Sequence, residues 1–229
     1  MIHKEQLNIF VSNFRKWLSD NYSKEDIERN FYDDAGYPYW TEIENYFANL
    51  LENKDFPQLD NQDKENLLYL IARNWDIGRM ISWLSKGKQL SNLGELKDDE
   101  FINLANILVT LKSSEFDDAK IQFVSAFEKF DSLTPDIESL LLRFYEDNDL
   151  DIKGRALLSL GKLKYTKILE LLEELWQVDE EHNKIKCLSL IDECLKDSDL
   201  MMKYLNDVKT TNQEYLSEYT KQLKRKYEI

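Results

Sequence analysis

The sequence predicts an all-α fold, an α-solenoid in which antiparallel helix pairs stack in a right-handed sense. Three observations predict it. Apolar residues recur at helical rather than strand spacing along nearly the whole chain. Only 6 Gly and 3 Pro punctuate the 229 residues, too few for the many turns of an all-β fold. A pattern of apolar and basic residues also returns at a 33-residue spacing in the second half. With 42% of its residues hydrophobic, the chain is too apolar to belong with segments that stay disordered.

Leu7, Phe10, Phe14, Trp17 and Leu18 share one face of a first helix over about residues 4–19. Ser23-Lys24-Glu25-Asp26 resembles a capping box and opens a short helix toward Phe31. Asp33 to Pro38 reads as a turn, after which Trp40, Ile43, Phe47, Leu50 and Leu51 stripe a helix ending before Asp55-Phe56-Pro57. Leu67, Leu68, Leu70 and Ile71 mark a helix over residues 61–73. Trp75 to Gly78 interrupts it, and Met80, Ile81, Trp83 and Leu84 resume as far as Gly87. Residues 88–97, with Ser91, Asn92 and Gly94, form the best linker candidate. Beyond it, Phe101, Leu104, Ala105, Leu108 and Val109 begin a second group of helices.

That second group repeats. Ala119, Ile152 and Ile185 are spaced by 33 residues, and each is followed at once by a lysine: Lys120, Lys153 and Lys186. Each register opens a first helix. Partner helices are striped by Ile137, Leu140, Leu141 and Phe144, then by Leu163, Ile168, Leu169, Leu172 and Leu175, and last by Leu200, Tyr204 and Leu205. A two-helix unit cannot bury its apolar face alone, so neighbouring units must stack. In the middle unit, Asp149, Ile152-Lys153, Ala156 and Ser159-Leu160-Gly161 supply an acidic start, an aliphatic-basic pair, a small residue and a small-Leu-Gly close.

The middle unit resembles a HEAT repeat of the short bacterial form, and the likeness covers residues 99–207. The flanking units depart from that pattern: Phe123 stands where a small residue belongs, and Glu128 and Cys194 stand where Gly belongs. The resemblance implies three parts of one continuous domain: an irregular helical cap over 1–90, HEAT-like repeats over 98–207, and a C-terminal capping helix over 208–229. Small bacterial HEAT-like proteins often serve as scaffolds or as immunity-type partners of toxins, so the resemblance implies a protein-binding role rather than catalysis.

Charge bounds the partner. Against 30 Lys and Arg stand 44 Asp and Glu, a net of −14. Such a surface repels nucleic acid, whose binders neutralise phosphates with a basic footprint, and it steers toward a basic protein. Lys221, Lys224, Arg225 and Lys226 are the one basic concentration, read as cations complementing a helix C-terminus. No stretch is long and apolar enough to span a membrane. The N-terminus has no apolar signal-peptide core. Cys187 and Cys194 lie two helical turns apart, too far to bridge each other. They read as buried thiols of a soluble protein in a reducing, cytoplasmic compartment.

Reactive constellations are scarce. The two histidines, His3 and His182, have no cysteine at ligand spacing, so no metal or other cofactor is expected. His182 is read as a surface-loop residue. No nucleophile elbow, phosphate-binding loop or dinucleotide fingerprint occurs, and no catalytic residue is expected. The candidate partner-binding residues are Glu170, Glu173, Glu174, Glu180 and Glu181, an acidic patch on and after the second helix of the middle repeat. A solvated helix face is the simpler reading of the same carboxylates. Asp33-Asp34 beside Tyr37, Tyr39 and Trp40 is a second acidic-aromatic cluster, for which a turn entering a buried helix start is the simpler reading. The alternative function is enzymatic, a HEAT-like DNA glycosylase or a lyase. Trp75, Asp76 and Arg79 form a trio of the right residue types for a glycosylase, but the acidic surroundings argue against a DNA-binding face.

Overall fold

The computed structural model describes residues 2–29, 31–53, 55–74, 78–84, 98–208 and 213–227. Among the described residues there are thirteen α-helices and no strands. They divide into two units, Met1–Lys129 and Phe130–Ile229. The expected linker at 88–97 and the Gly87 stop lie outside the described residues.

The first unit holds α1 (Ile2–Asn21), α2 (Lys24–Glu28), α3 (Trp40–Glu52), α4 (Asn61–Arg73), α5 (Arg79–Leu84), α6 (Asp98–Leu108) and α7 (Asp117–Ala126). Its centre is α4, which packs against α1, α6 and α7. Asp60 and Asp63 close a reciprocal capping box at its start, satisfying donors a helix N-terminus would leave orphaned. From Asn66 to Arg73 every residue of α4 is buried. A helix apolar on most sides must be surrounded, and here the polar Arg73 is surrounded too. Gln122 of α7 reaches the Ile71 carbonyl at 3.0 Å and ties the two backbones together. Ser23 caps α2 as its sequence suggests, accepting from the Asp26 amide. The Asp34–Gly36 segment is a single 3₁₀ turn.

The second unit holds α8 (Pro135–Tyr145), α9 (Leu150–Lys162), α10 (Ile168–Trp176), α11 (Glu181–Leu190), α12 (Ser198–Asp207) and α13 (Glu214–Lys226). A π-helical turn over Ile191–Leu195 extends α11. Neighbouring helices pack closely, α9 against α8, α10 and α11, and α11 against α10 and α13. Pro135 occupies the first turn of α8, where its missing N–H costs nothing, behind the Thr134 cap.

Two side-chain positions differ from the sequence expectation. The spacing placed Ile185 in line with Ile152, but Ile185 is only half-buried. The N-caps of α9 and α11 are Asp149 and Glu180, each accepting two backbone N–H groups. They lie 31 residues apart, so Asn183 takes the place of Ile152. Cys187, Leu188 and Ile191 likewise match Ala156, Leu157 and Leu160, all buried. The register shifts because α10, at 9 residues, is two shorter than α8, at 11, while the connections that follow them are of equal length. Leu169 belongs by spacing to the apolar stripe of its helix but is 53% exposed. The buried stripe of α10 is Ile168, Leu172, Leu175 and Trp176, and one residue's 100° rotation turns Leu169 outward.

Gly161 is needed for close approach rather than for a turn. A Cβ there would lie 2.0 Å from Leu190 Cδ1. The left-handed residue after α9 is Lys164, at φ 63°.

Candidate functional site

The outward face of α10 gathers three of the five predicted acidic residues. Glu170, Glu173 and Glu174 are all exposed, and at spacings of three and four they share one side of the helix. Leu169 borders them, one turn before Glu173. Apolar atoms are common on protein surfaces, but an exposed leucine between the buried stripe and the carboxylates gives one edge of this face an apolar anchor point.

The carboxylates are partly engaged from neighbouring helices. Tyr204 of α12 donates to Glu173 at 2.6 Å, and Lys203 Nζ lies 3.3 Å from the same oxygen. The tyrosine hydrogen bond and the lysine charge hold the Glu173 carboxyl below its ordinary value. Burial, with the same hydrogen bond to an anion, pushes the Tyr204 phenol up. Lys153 of α9 pairs with Glu174 at 3.2 Å. Trp176 packs edge-on against Tyr204, ring centroids 4.7 Å apart, and donates its indole N–H to Asp207 at 2.7 Å. The face is therefore fixed in place by α9 and α12.

Glu180 and Glu181 do different work. Glu180 caps α11, accepting from the His182 and Asn183 amides at 3.0 and 2.7 Å. Glu181 accepts the Leu216 amide at 2.6 Å and so caps the first turn of α13. Both carboxylates satisfy helix N-termini; the position of Glu180 just before a helical stripe could have signalled its role, whereas that of Glu181 depends on a tertiary contact. His182 sits on the first turn of α11, with its ring stacked at 6.0 Å on Tyr215.

The other sequence candidates separate cleanly. Tyr37 and Trp40 are buried, and the Trp40 indole N–H donates to the Asp34 carbonyl at 2.6 Å, so that segment is a structural helix entry. Tyr39 is exposed. Of the Trp75, Asp76 and Arg79 trio, the first two lie outside the described residues. Arg79 extends to Glu44 at 2.8 Å, where it neutralises a carboxylate that is 6% exposed. Cys187 is buried, and burial pushes its thiol up to about 12. A thiol so raised is a poor nucleophile at neutral pH. Among the described residues no three His, Cys, Asp or Glu side chains are grouped as metal ligands would be. None of the described helices is long and apolar enough to cross a membrane. No protein-family model matches the chain, and neither a curated protein nor a solved structure is similar enough to match it.

Proposed function

We propose that this protein is a non-catalytic helical-repeat module that binds a basic protein through the outward face of α10. The carrying observation is the set of Glu170, Glu173 and Glu174 exposed on one side of α10, with the exposed Leu169 at their edge. Carboxylates beside an exposed leucine fit a partner that sets lysines or arginines next to an apolar side chain. The net charge of −14 favours encounter with such a partner over any other kind.

The second unit is read as a HEAT-like stack of antiparallel helix pairs. Two rows of contacts support this: α9 packs on α11 and α11 on α13, while Tyr145 of α8 donates to the Leu171 carbonyl of α10, and Trp176 of α10 meets Tyr204 of α12. Helices two apart in sequence are neighbours in space, as stacked pairs require. An immunity-type inhibitor of a basic toxin and a general adaptor both fit, and the protein is read as cytoplasmic.

Affinity capture with the wild-type chain, followed by purification of the captured protein, tests the reading. The expected partner is basic, binds more weakly as salt rises, and is lost on Glu170→Lys, Glu173→Lys and Glu174→Lys together, with the helical circular dichroism unchanged. A purified partner that binds the reversed chain equally well overturns the reading. The DNA-glycosylase alternative predicts salt-sensitive retardation of duplex DNA in a gel; this reading predicts none.

A further inference from the structure

The first unit carries a second exposed surface, in the other half of the chain from α10. Phe31 is 70% exposed and Tyr39 is 53% exposed. A chain of ring contacts runs from Tyr39 to Tyr32, the residue that follows Phe31. Tyr39 meets Tyr37 at 5.6 Å, Tyr37 meets Trp17 at 5.3 Å, Trp17 meets Tyr22 at 5.6 Å, and Tyr22 meets Tyr32 at 5.9 Å, next to Phe31. Tyr37 is the buried keel of the strip, and Trp17, Tyr22 and Tyr32 are half-buried.

The strip is ordered before any partner arrives. The buried Arg73 guanidinium donates to the Tyr32 hydroxyl and, at 2.7 Å, to the Glu115 carbonyl. The Asp33 amide donates to the Tyr22 hydroxyl at 3.2 Å, and the Phe31 amide donates to the Asp26 carbonyl at 2.8 Å. Rings held this way lose little freedom on binding, the condition under which aromatic anchors dominate an interface.

Toward solvent the strip presents the exposed Asp33, while the Arg73 cation against the Tyr32 ring is buried. The Asp33 carboxylate lies over Gly36, 3.4 Å from where a Cβ would sit, and the Trp17 indole edge is 3.9 Å from the same point. Among the described residues that carboxylate has no hydrogen bond or ion pair. Glu42 lies close enough to act on the Tyr37 phenol, which burial foremost, then Tyr39 and Glu42, hold above its ordinary value. Nearby Glu25 and Glu28, by contrast, are matched by Arg29 and Lys24.

We propose that this strip docks an arginine-bearing segment of a protein partner, its guanidinium groups stacking on the exposed rings and pairing with Asp33. Ring faces attract cations. Arginine stacks and pairs at once, through a planar, weakly hydrated head that lysine lacks. A second copy of this chain is a poor occupant, because two chains of −14 repel. The proposal stands apart from the α10 reading, and either can fail alone.

The test titrates synthetic Arg–Leu, Lys–Leu and Glu–Leu peptides of one length into the full chain carrying Glu170→Lys, Glu173→Lys and Glu174→Lys. In that chain the α10 face no longer attracts cations. Saturable Arg–Leu binding is expected, with Lys–Leu weaker and Glu–Leu weakest. Adding Phe31→Ala and Tyr39→Ala should weaken Arg–Leu binding by roughly tenfold or more, with circular dichroism unchanged. Asp33→Asn should weaken it less and flatten its salt dependence. Arg–Leu affinity unchanged by the two alanines overturns the proposal. So does equal binding of Glu–Leu, which would mean apolar adhesion only. A wild-type dimer that the two alanines dissolve also overturns it, in favour of self-association.

Discussion

At the scale of single residues, the packing of α9 on α11 turns on two glycines and one asparagine. A Cβ at Gly161 would meet the buried Leu190 side chain at 2.0 Å, whereas one at Gly154 would meet the flexible Lys186 stem at 2.3 Å and Asn183 Oδ1 at 3.1 Å. Leu190 is fully enclosed and cannot yield, while Lys186 can swing outward. Gly161→Ala is expected to cost about 1–3 kcal/mol through overpacking. Gly154→Ala should cost clearly less: both glycines lie in α9 and gain up to about 1 kcal/mol of helix propensity, but only at Gly161 does the new Cβ meet a side chain that cannot move. Urea midpoints of the two variants rank them. Asn183 is 0% exposed, and neither its Nδ2 nor its Oδ1 has a partner. An unsatisfied buried amide costs about 1–3 kcal/mol, so Asn183→Leu, of similar shape, should raise stability by about that much in the same assay. A loss of stability would mean that the amide is satisfied after all. Gly161 was legible from the small-Leu-Gly run that ends the first helix of the repeat. Asn183 was not, since a 33-residue step points past it to Ile185.

Whole elements were the most legible level. The helices at Trp40–Glu52 and Asn61–Arg73 begin and end where their stripes and polar flanks indicate, because long stripes with caps leave few alternatives. Tertiary choices were hidden. That Leu169 faces outward, and that Glu181 reaches forward to cap α13, depend on which neighbours a helix acquires. The α9–α11 contact also carries a titrating link, Lys186 with Asp151. The lysine hydrogen bond comes first among the causes holding the Asp151 carboxyl below its ordinary value, outweighing its partial burial. A carboxyl depressed in the folded state stabilises the fold above its unfolded value, near about pH 4. That contribution fades as pH falls through the folded value. Urea midpoints measured down a pH series should therefore show wild type more stable than Asp151→Asn at neutral pH, with the gap closing in acid. The gap should be modest, since the Asp151 side chain is 64% exposed. A gap that persists unchanged in strong acid would contradict the assignment.

At the scale of the whole molecule, the all-helical class followed from period and from the scarcity of Gly and Pro. The division into units did not, because α6 and α7 join α4 in the first unit through side-chain packing that no linker signal announces. Leu160 is fully buried in the second unit. An aspartate there would place an unpaired charge in the core, so Leu160→Asp should abolish the cooperative unfolding of that unit; a folded, monodisperse variant would refute the placement. The candidate site was half legible: the carboxylates of α10 were visible as a patch, but not the exposure of Leu169 at its edge. The most direct measurement of the central claim is the affinity of the purified partner for wild type and for the chain with Glu170, Glu173 and Glu174 all changed to lysine. The account predicts salt-dependent binding to wild type and none to the reversed chain, at identical helical content. Equal affinity for the two chains would contradict it.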